Sequence, residues 1–313
     1  MSDAILVGRR AARPRGLRLS EGVRERIFAY ALLAPALLIV LAMVVYPLAR
    51  VADISTRIGR TMNFARIGLL PIGAGNYART LSDPAFWQAV EVTAIYIAAS
   101  VAFAFAIGLG TALVLDLTFP ARRLFRTLLL LPWAVPGVVA SIVFRWMFDG
   151  SYGVVNAMLR HAGLFAADIP WFADARTALA AAIVPTVWKA YPLITLTLLA
   201  AMQTIPGELY EASAVDGASA VARFRHITWP GIGAAAILAM LVSALWIFRD
   251  IDIIYAATGG GPAGSTQTLA MYVYNEAFQY FRIGAAAAVG MLMIVAALIA
   301  SGVSLAFAGK QRL

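Results

Sequence analysis

The sequence has no cysteine and only two histidines, His161 and His226. Disulfides, thiolate metal sites and cysteine nucleophiles are therefore excluded, and two isolated imidazoles are too few for a zinc site of the usual kind. Charge is scarce as well. Charged residues make up 13% of the chain and apolar residues 62%, against ~25% and ~45–50% in soluble domains. A water-soluble fold of this length cannot hide so much apolar surface, so lipid must be part of its solvent.

What charge there is leans positive, to a net +9. Seven arginines (Arg9, Arg10, Arg13, Arg15, Arg18, Arg24 and Arg26) precede the first apolar run. A basic tail in that position reads as a topology signal rather than as a nucleic-acid contact. The first run, Ile27–Leu48, is longer than the ~7–15-residue apolar core of a cleaved signal peptide, and reads as an uncleaved anchor.

Crossing a ~30 Å hydrocarbon layer takes ~20 mostly apolar helical residues. Six stretches qualify: Ile27–Leu48, Val90–Leu115, Leu124–Phe144, Ala178–Ala201, Ile232–Ile254 and Ile283–Phe307. They are continuously apolar rather than alternating, which selects helices over a barrel. The expected fold is all-α, a polytopic membrane protein of six transmembrane helices. It divides into a basic, disordered tail over 1–26, a six-span domain over 27–307 and a short tail over 308–313.

The basic residues of the N-terminal tail, of Arg122/Arg123/Arg126, of Arg223/Arg225 and of Lys310/Arg312 fall on one side of that topology. The positive-inside rule makes it the cytoplasm, with both termini there. Arg50, Arg57, Arg60, Arg66 and Arg79 oppose this from the first external loop, but the tail is denser and nearer its span. Prolines 35, 132, 136, 185 and 192 fall inside the runs and predict kinks or breaks there. Thr258-Gly-Gly-Gly-Pro262-Ala-Gly264 is a loop by punctuation. Thr268–Arg282, rich in aromatics, reads as a short helix or re-entrant piece at the membrane interface.

The cytoplasmic loop 205–231, IPGELYEASAVDGASAVARFRHITWPG, reads as two short helices. Thr204 can cap the first, with Pro206 in its first turn. Asp216-Gly217 should end it, glycine taking the left-handed position. Ser219 can cap the second, which Pro230 closes. A docking element and an interfacial amphipathic loop both fit this pattern.

Glu211-Ala212-Ser213, Asp216-Gly217-Ala218 and Ile227-Thr228-Trp229-Pro230 resemble the "EAA…G…I.LP" loop of ABC importer permeases. Ser213 stands where alanine is usual and Trp229 where leucine is usual. The resemblance runs from Ile27 to Phe307. Gly75-Asn76-Tyr77, Leu131-Pro132-Trp133 and Tyr255-Ala-Ala-Thr258-Gly-Gly-Gly-Pro262 are similar to the maltose/glycerol-phosphate type of sugar permease, a binding-protein-dependent inner membrane component. It implies the importer-permease fold in a bacterial inner membrane, with Glu211, Ala212, Ser213, Asp216 and Gly217 on the coupling helix that seats in an ATPase. It also implies the partners: a homologous second permease, two ATPase subunits that bind ATP and Mg, and an external binding protein that delivers a sugar. This chain itself would carry no cofactor and no catalytic residue.

Lys189 lies mid-span beside Trp188 and Tyr191. A charge there costs at least ~2.5–3.5 kcal/mol and must face the bundle interior or reach an interface. With Asp250, Asp252 and Tyr255 these residues form a candidate sugar pathway; the plainer alternative has Lys189 paired with a carboxylate or snorkelling. Gly259 and Gly264 have P-loop spacing, but Ser265 replaces the lysine that would reach the phosphates. Two other functions remain to be separated: an ion-coupled secondary transporter using Lys189 and Asp250, and a membrane-embedded glycan-processing enzyme using Asp149, Asp168 and Asp174.

Overall fold

The computed structural model describes residues 21–58, 70–164 and 168–310. Most of the basic tail and part of the loop between the first and second spans, with Arg60 and Arg66, lie outside the described residues. The chain divides into two units, Met1–Arg50 and Val51–Leu313. In the first, helix begins at Glu21, inside the segment 1–26 read as a disordered tail. It runs Glu21–Val40, passes through a π-helical turn at Leu41–Val45 and continues as Tyr46–Ser55. The apolar stretch Phe28–Ser55 is long enough to cross a bilayer.

The second unit is helical apart from a two-residue ladder pairing Arg57 with Pro71 and Ile58 with Leu70. The second span, Pro84–Asp116, starts six residues before the expected Val90, because Asp83 accepts the Ala85 N–H (2.9 Å) and Pro84 occupies the first turn, where a missing N–H costs nothing. The fourth, Ala178–Met202, packs along it. Tyr96 bonds Thr186, and Gly108 lies where an added Cβ would be 2.8 Å from Ile194 Cγ2, so these two spans run parallel. Their interface is completed by the fifth span through Ala104, Ala112, Ile194, Leu198, Ile232 and Ala236, all buried. Small residues let the backbones approach, as van der Waals packing between membrane helices requires.

The third span is broken. Arg122–Ala134 and Gly137–Met147 meet at 93°, at Val135-Pro136. Arg126 donates to the Leu115 carbonyl at the far end of the second span. Phe148, just past the break's second half, packs on Trp171 and Phe172 before the fourth span begins. The two ends of the broken element therefore lie at opposite ends of the parallel pair. That placement makes it a bent crossing rather than a re-entrant loop, the sixth among the described residues.

Boundaries also differ from the sequence expectation around the fifth span. Pro230 does not close the second loop helix: Ala220–Arg223 runs through a π turn, Phe224–Thr228, straight into Trp229–Arg249. The N–H of Trp229 reaches back five residues to Phe224, which opens the turn and relieves the clash that a proline ring has with the carbonyl four residues before it. The π turn of the first span sits the same way before Pro47. The fifth span also ends early, at Arg249, and a separate helix, Asp252–Ala257, follows. A short helix does follow the glycine loop, Leu269–Tyr274 with a π turn, Asn275–Gln279, but Leu269, Ala270, Met271 and Tyr272 are buried against the spans.

The last span, Ile283–Lys310, begins hard against the segment that joins the first and second spans. A Cβ on Gly284 would lie 2.1 Å from the Arg57 carbonyl oxygen and 2.7 Å from Asn76 Nδ2, whereas one on Gly290 meets nothing within 4 Å. Gly284→Ala should therefore lower the stability of the detergent-solubilised protein by about 1–3 kcal/mol, the usual cost of overpacking. Gly290→Ala should not, and thermal unfolding followed by size-exclusion chromatography measures both.

Candidate functional site

The break in the third span opens a cavity of about 300 Å³ between the third, fourth and fifth spans. Trp133, Lys189, Ser243, Trp246, Asp250 and Asp252 line it. Trp133, on the first half of the broken span, stacks on Trp246 with ring centroids 6.3 Å apart and 20° between planes. The Arg249 guanidinium lies over the other ring of this group, 5.9 Å from the Trp246 centroid. Asp250 accepts the Asp252 N–H (2.9 Å) at the point where the fifth span stops. Ser243 is 3% exposed, and its hydroxyl has no hydrogen-bond partner. A buried hydroxyl without a partner costs about 1–3 kcal/mol, and this one lines the cavity.

Of the six pathway residues read from the sequence, the structure brings three together here: Lys189, Asp250 and Asp252. Lys189 Nζ donates to the Val135 carbonyl at the break, and its charge also acts on Asp250 across the cavity. Trp188 and Tyr191 turn instead to an apolar groove with Phe103, Ile107 and Phe144. Tyr255 stands against Tyr274, with ring centroids 5.0 Å apart. Trp133, Trp246 and Ser243 were missed. The only signal for them in the sequence is that Trp246 falls one helical turn before Asp250, on the same face.

In the loop 205–231, Gly207–Val215 is helical. Thr204 does not cap it: its hydroxyl donates back to Ala201 (2.8 Å) and Pro206 takes the cap position. Its end is a complete Schellman arrangement, with Ala218 N–H on Ser213 O (2.9 Å) and Gly217 N–H on Ala214 O (3.1 Å). Gly217 has φ +74°, where glycine alone pays no Cβ penalty. Ser219 then caps the next helix through the Ala222 N–H (3.2 Å), and Tyr210 ties the two helices to each other through Thr228 (3.0 Å). Glu208, Glu211, Ala212 and Asp216 are exposed and Ser213 half-buried. Leu209, Val215 and Val221 are exposed beside them, Val215 at 88%. The loop is a rigid element whose apolar and acidic residues are left uncovered by this chain.

The carboxylates of the enzyme alternative do not converge. Asp149 accepts the N–H groups of Ser151 (2.8 Å) and Tyr152 (3.2 Å), and the first of these bonds is the main reason its carboxyl is held below the usual range. Asp168 pairs with Arg160, and Asp174 accepts the Arg176 N–H (2.9 Å). Asp149 and Asp174 each close their own turn, and Asp168 is held by Arg160. Among the described residues, no group of three or more His, Asp or Glu side chains is placed to hold a metal.

Residues 104–312 match the family described as binding-protein-dependent transport system inner membrane component. The chain is 35% identical over 286 residues to the sulfoquinovosyl glycerol transport system permease protein of Agrobacterium fabrum, covering 90% of each. It is also 35% identical over 262 residues to the trehalose/maltose transport system permease protein of Thermococcus litoralis, covering 83% of this chain and 85% of that one. Its fold superimposes on a chain of a bacterial ABC transporter that imports the acidic polysaccharide alginate, with TM-score 0.78 and 21% identity over 94% of this chain and 99% of the other. A chain of the inward-facing methionine ABC transporter overlaps it with TM-score 0.53, at 21% identity over 74% of this chain and 99% of the other.

Proposed function

Since the chain belongs to the family of binding-protein-dependent transport system inner membrane components, we propose that it forms half of the pathway of an ATP-driven sugar importer, with its cytoplasmic loop 205–231 docked on an ATPase. It is a permease subunit of the inner membrane and not itself an enzyme. The other half of the pathway is a homologous permease, two ATPase subunits hold ATP and Mg, and an external binding protein delivers the solute.

The observation that carries this reading is the rigid, uncovered loop helix, with Glu211 and Gly217 at the positions of the importer motif and Val215 and Val221 exposed next to them. An apolar face with carboxylates beside it fits a protein cleft. ATP binding must favour one gate position by several kcal/mol to throw a two-state pathway across, and a helix fixed at its C-terminal end and at its side transmits such a bias mechanically.

The solute class follows from the cavity. Stacked indoles offer a flat apolar platform, and Asp250, which lines the same cavity, offers hydrogen bonds. That combination suits a pyranose ring, apolar on its faces and polar at its edge. The relatives named for sulfoquinovosyl glycerol and for trehalose/maltose transport support a glycoside.

Orientation has a clean test because the chain carries no native cysteine. Ser219→Cys should react with a membrane-impermeant thiol reagent only from the cytoplasmic side, and Ser265→Cys only from outside. Labelling of both from one side overturns the topology, and with it the assignment of the loop to the ATPase.

A further inference from the structure

A broken helix exposes two new ends in the middle of the bundle, and here both meet a charge of the complementary sign. The first half of the third span ends at Ala134, with its last carbonyls unpaired along the chain. The Ala140 N–H bonds the Pro136 carbonyl (3.0 Å), so the Val135 carbonyl is left outside the ladder, and it accepts Lys189 Nζ from the fourth span. The second half begins at Gly137, and the Asp252 carboxylate lies against it. A Cβ on Gly137 would be 2.7 Å from Asp252 Cβ and 2.8 Å from its Oδ2. Ser141, one turn on, donates to the Ile253 carbonyl (2.9 Å) and fastens the same two elements.

A cation is favoured at a helix C-terminus and an anion at an N-terminus, most strongly where water is excluded. We infer that Lys189 and Asp252 are positioning residues that clamp the two ends of the broken third span, rather than groups that contact the solute. Their effect on the pathway passes through Trp133. That residue sits on the half held by Lys189, and the clamp keeps its ring stacked on Trp246. Of the charged residues read as pathway from the sequence, Asp250 alone then remains to meet the solute, beside Ser243 and the two indoles. Gly137 is fixed by the same geometry, since any side chain there displaces Asp252.

This inference rests on the geometry of the break and holds whatever solute the cavity takes, so its test needs no solute. The transporter is purified through a tag on this chain, solute-free, with whatever subunits accompany it, and amide hydrogen exchange is followed in peptides covering residues 130–141. With Lys189→Met and with Asp252→Asn, those amides should exchange at least ~10-fold faster, as local opening predicts. Lys189→Arg, which keeps a cationic donor, should stay near the unaltered rate. Peptides covering 207–215 should exchange equally in all variants, which separates a local clamp from general destabilisation. Unchanged exchange over 130–141 in Lys189→Met and Asp252→Asn overturns the clamp and returns both residues to the solute; so does faster exchange in Lys189→Arg equal to that in Lys189→Met. If Lys189→Met does not insert, Asp252→Asn decides alone.

Discussion

Glu211→Lys should leave the chain inserted and joined to its partner permease while its association with the ATPase falls by at least ~30-fold. The loop helix is fixed at its end by the Schellman bonds from Gly217 and Ala218 and at its side by Tyr210 on Thr228, so a reversed charge cannot be accommodated by moving the helix away. Truncating one member of a buried, hydrogen-bonded charge pair costs ~2–5 kcal/mol, and sign reversal adds repulsion. Gly217→Val acts on the same element by a different route. Nothing lies within 4 Å of an added Cβ, so within this chain the penalty is conformational, roughly 1–2 kcal/mol for leaving the left-handed region to a β-branched residue. Gly217→Asn should recover most of the loss, because asparagine tolerates that region. Copurification of ATPase with tagged chain measures all three, and Arg13→Ala should be silent. Full ATPase stoichiometry and an unaltered import rate in Glu211→Lys would make the loop an ordinary surface helix.

Ser243→Trp should abolish uptake, by more than ~100-fold, without changing subunit stoichiometry. The indole would fill a cavity of about 300 Å³ from the face of the fifth span that looks into it, and overpacked sites relax little. Asp250→Ala tests a contact directly. It removes a charged hydrogen-bond acceptor that lines the cavity, about 1.5–3 kcal/mol, or a loss of roughly 12- to 160-fold in apparent affinity. Initial rates of uptake of a labelled glycoside panel, with the cognate binding protein present, distinguish a blocked path from a weakened contact.

The number of crossings, their helical nature and the loop 205–231 were legible because each depends on local properties: apolar length, glycine and proline punctuation, and caps that act within a few residues. Asp216-Gly217 and Ser219 did what their local chemistry dictates. Pro230 did not, since a π turn let the helix run through it, and nothing in the residues FRHIT distinguishes a turn that widens from one that ends. Pro132 and Pro136 marked an irregularity in the third span but carried no angle. A 93° bend depends on Lys189 and Asp252 arriving from elements 50 and more residues away. The central cavity was half legible for the same reason. Charges inside apolar runs stand out, and Lys189, Asp250 and Asp252 were found that way. A serine or a tryptophan in such a run looks ordinary, so Ser243, Trp133 and Trp246 became visible only when three spans were placed together. Trp188 and Tyr191 were drawn in by sequence proximity to Lys189, yet neighbours along a helix point to different faces.

As a permease subunit, this chain should move solute only within an ATP-driven assembly. Uptake of labelled glycoside into proteoliposomes holding the transporter purified from its own membrane tests that claim. Uptake should require the external binding protein and should occur with ATP and Mg inside, in the absence of any ion gradient. It should stop when ATP is replaced by a non-hydrolysable analogue. Liposomes holding this chain alone that accumulate glycoside on a proton or sodium gradient, with no nucleotide present, would contradict the claim and make Lys189 and Asp250 the coupling groups of a secondary transporter.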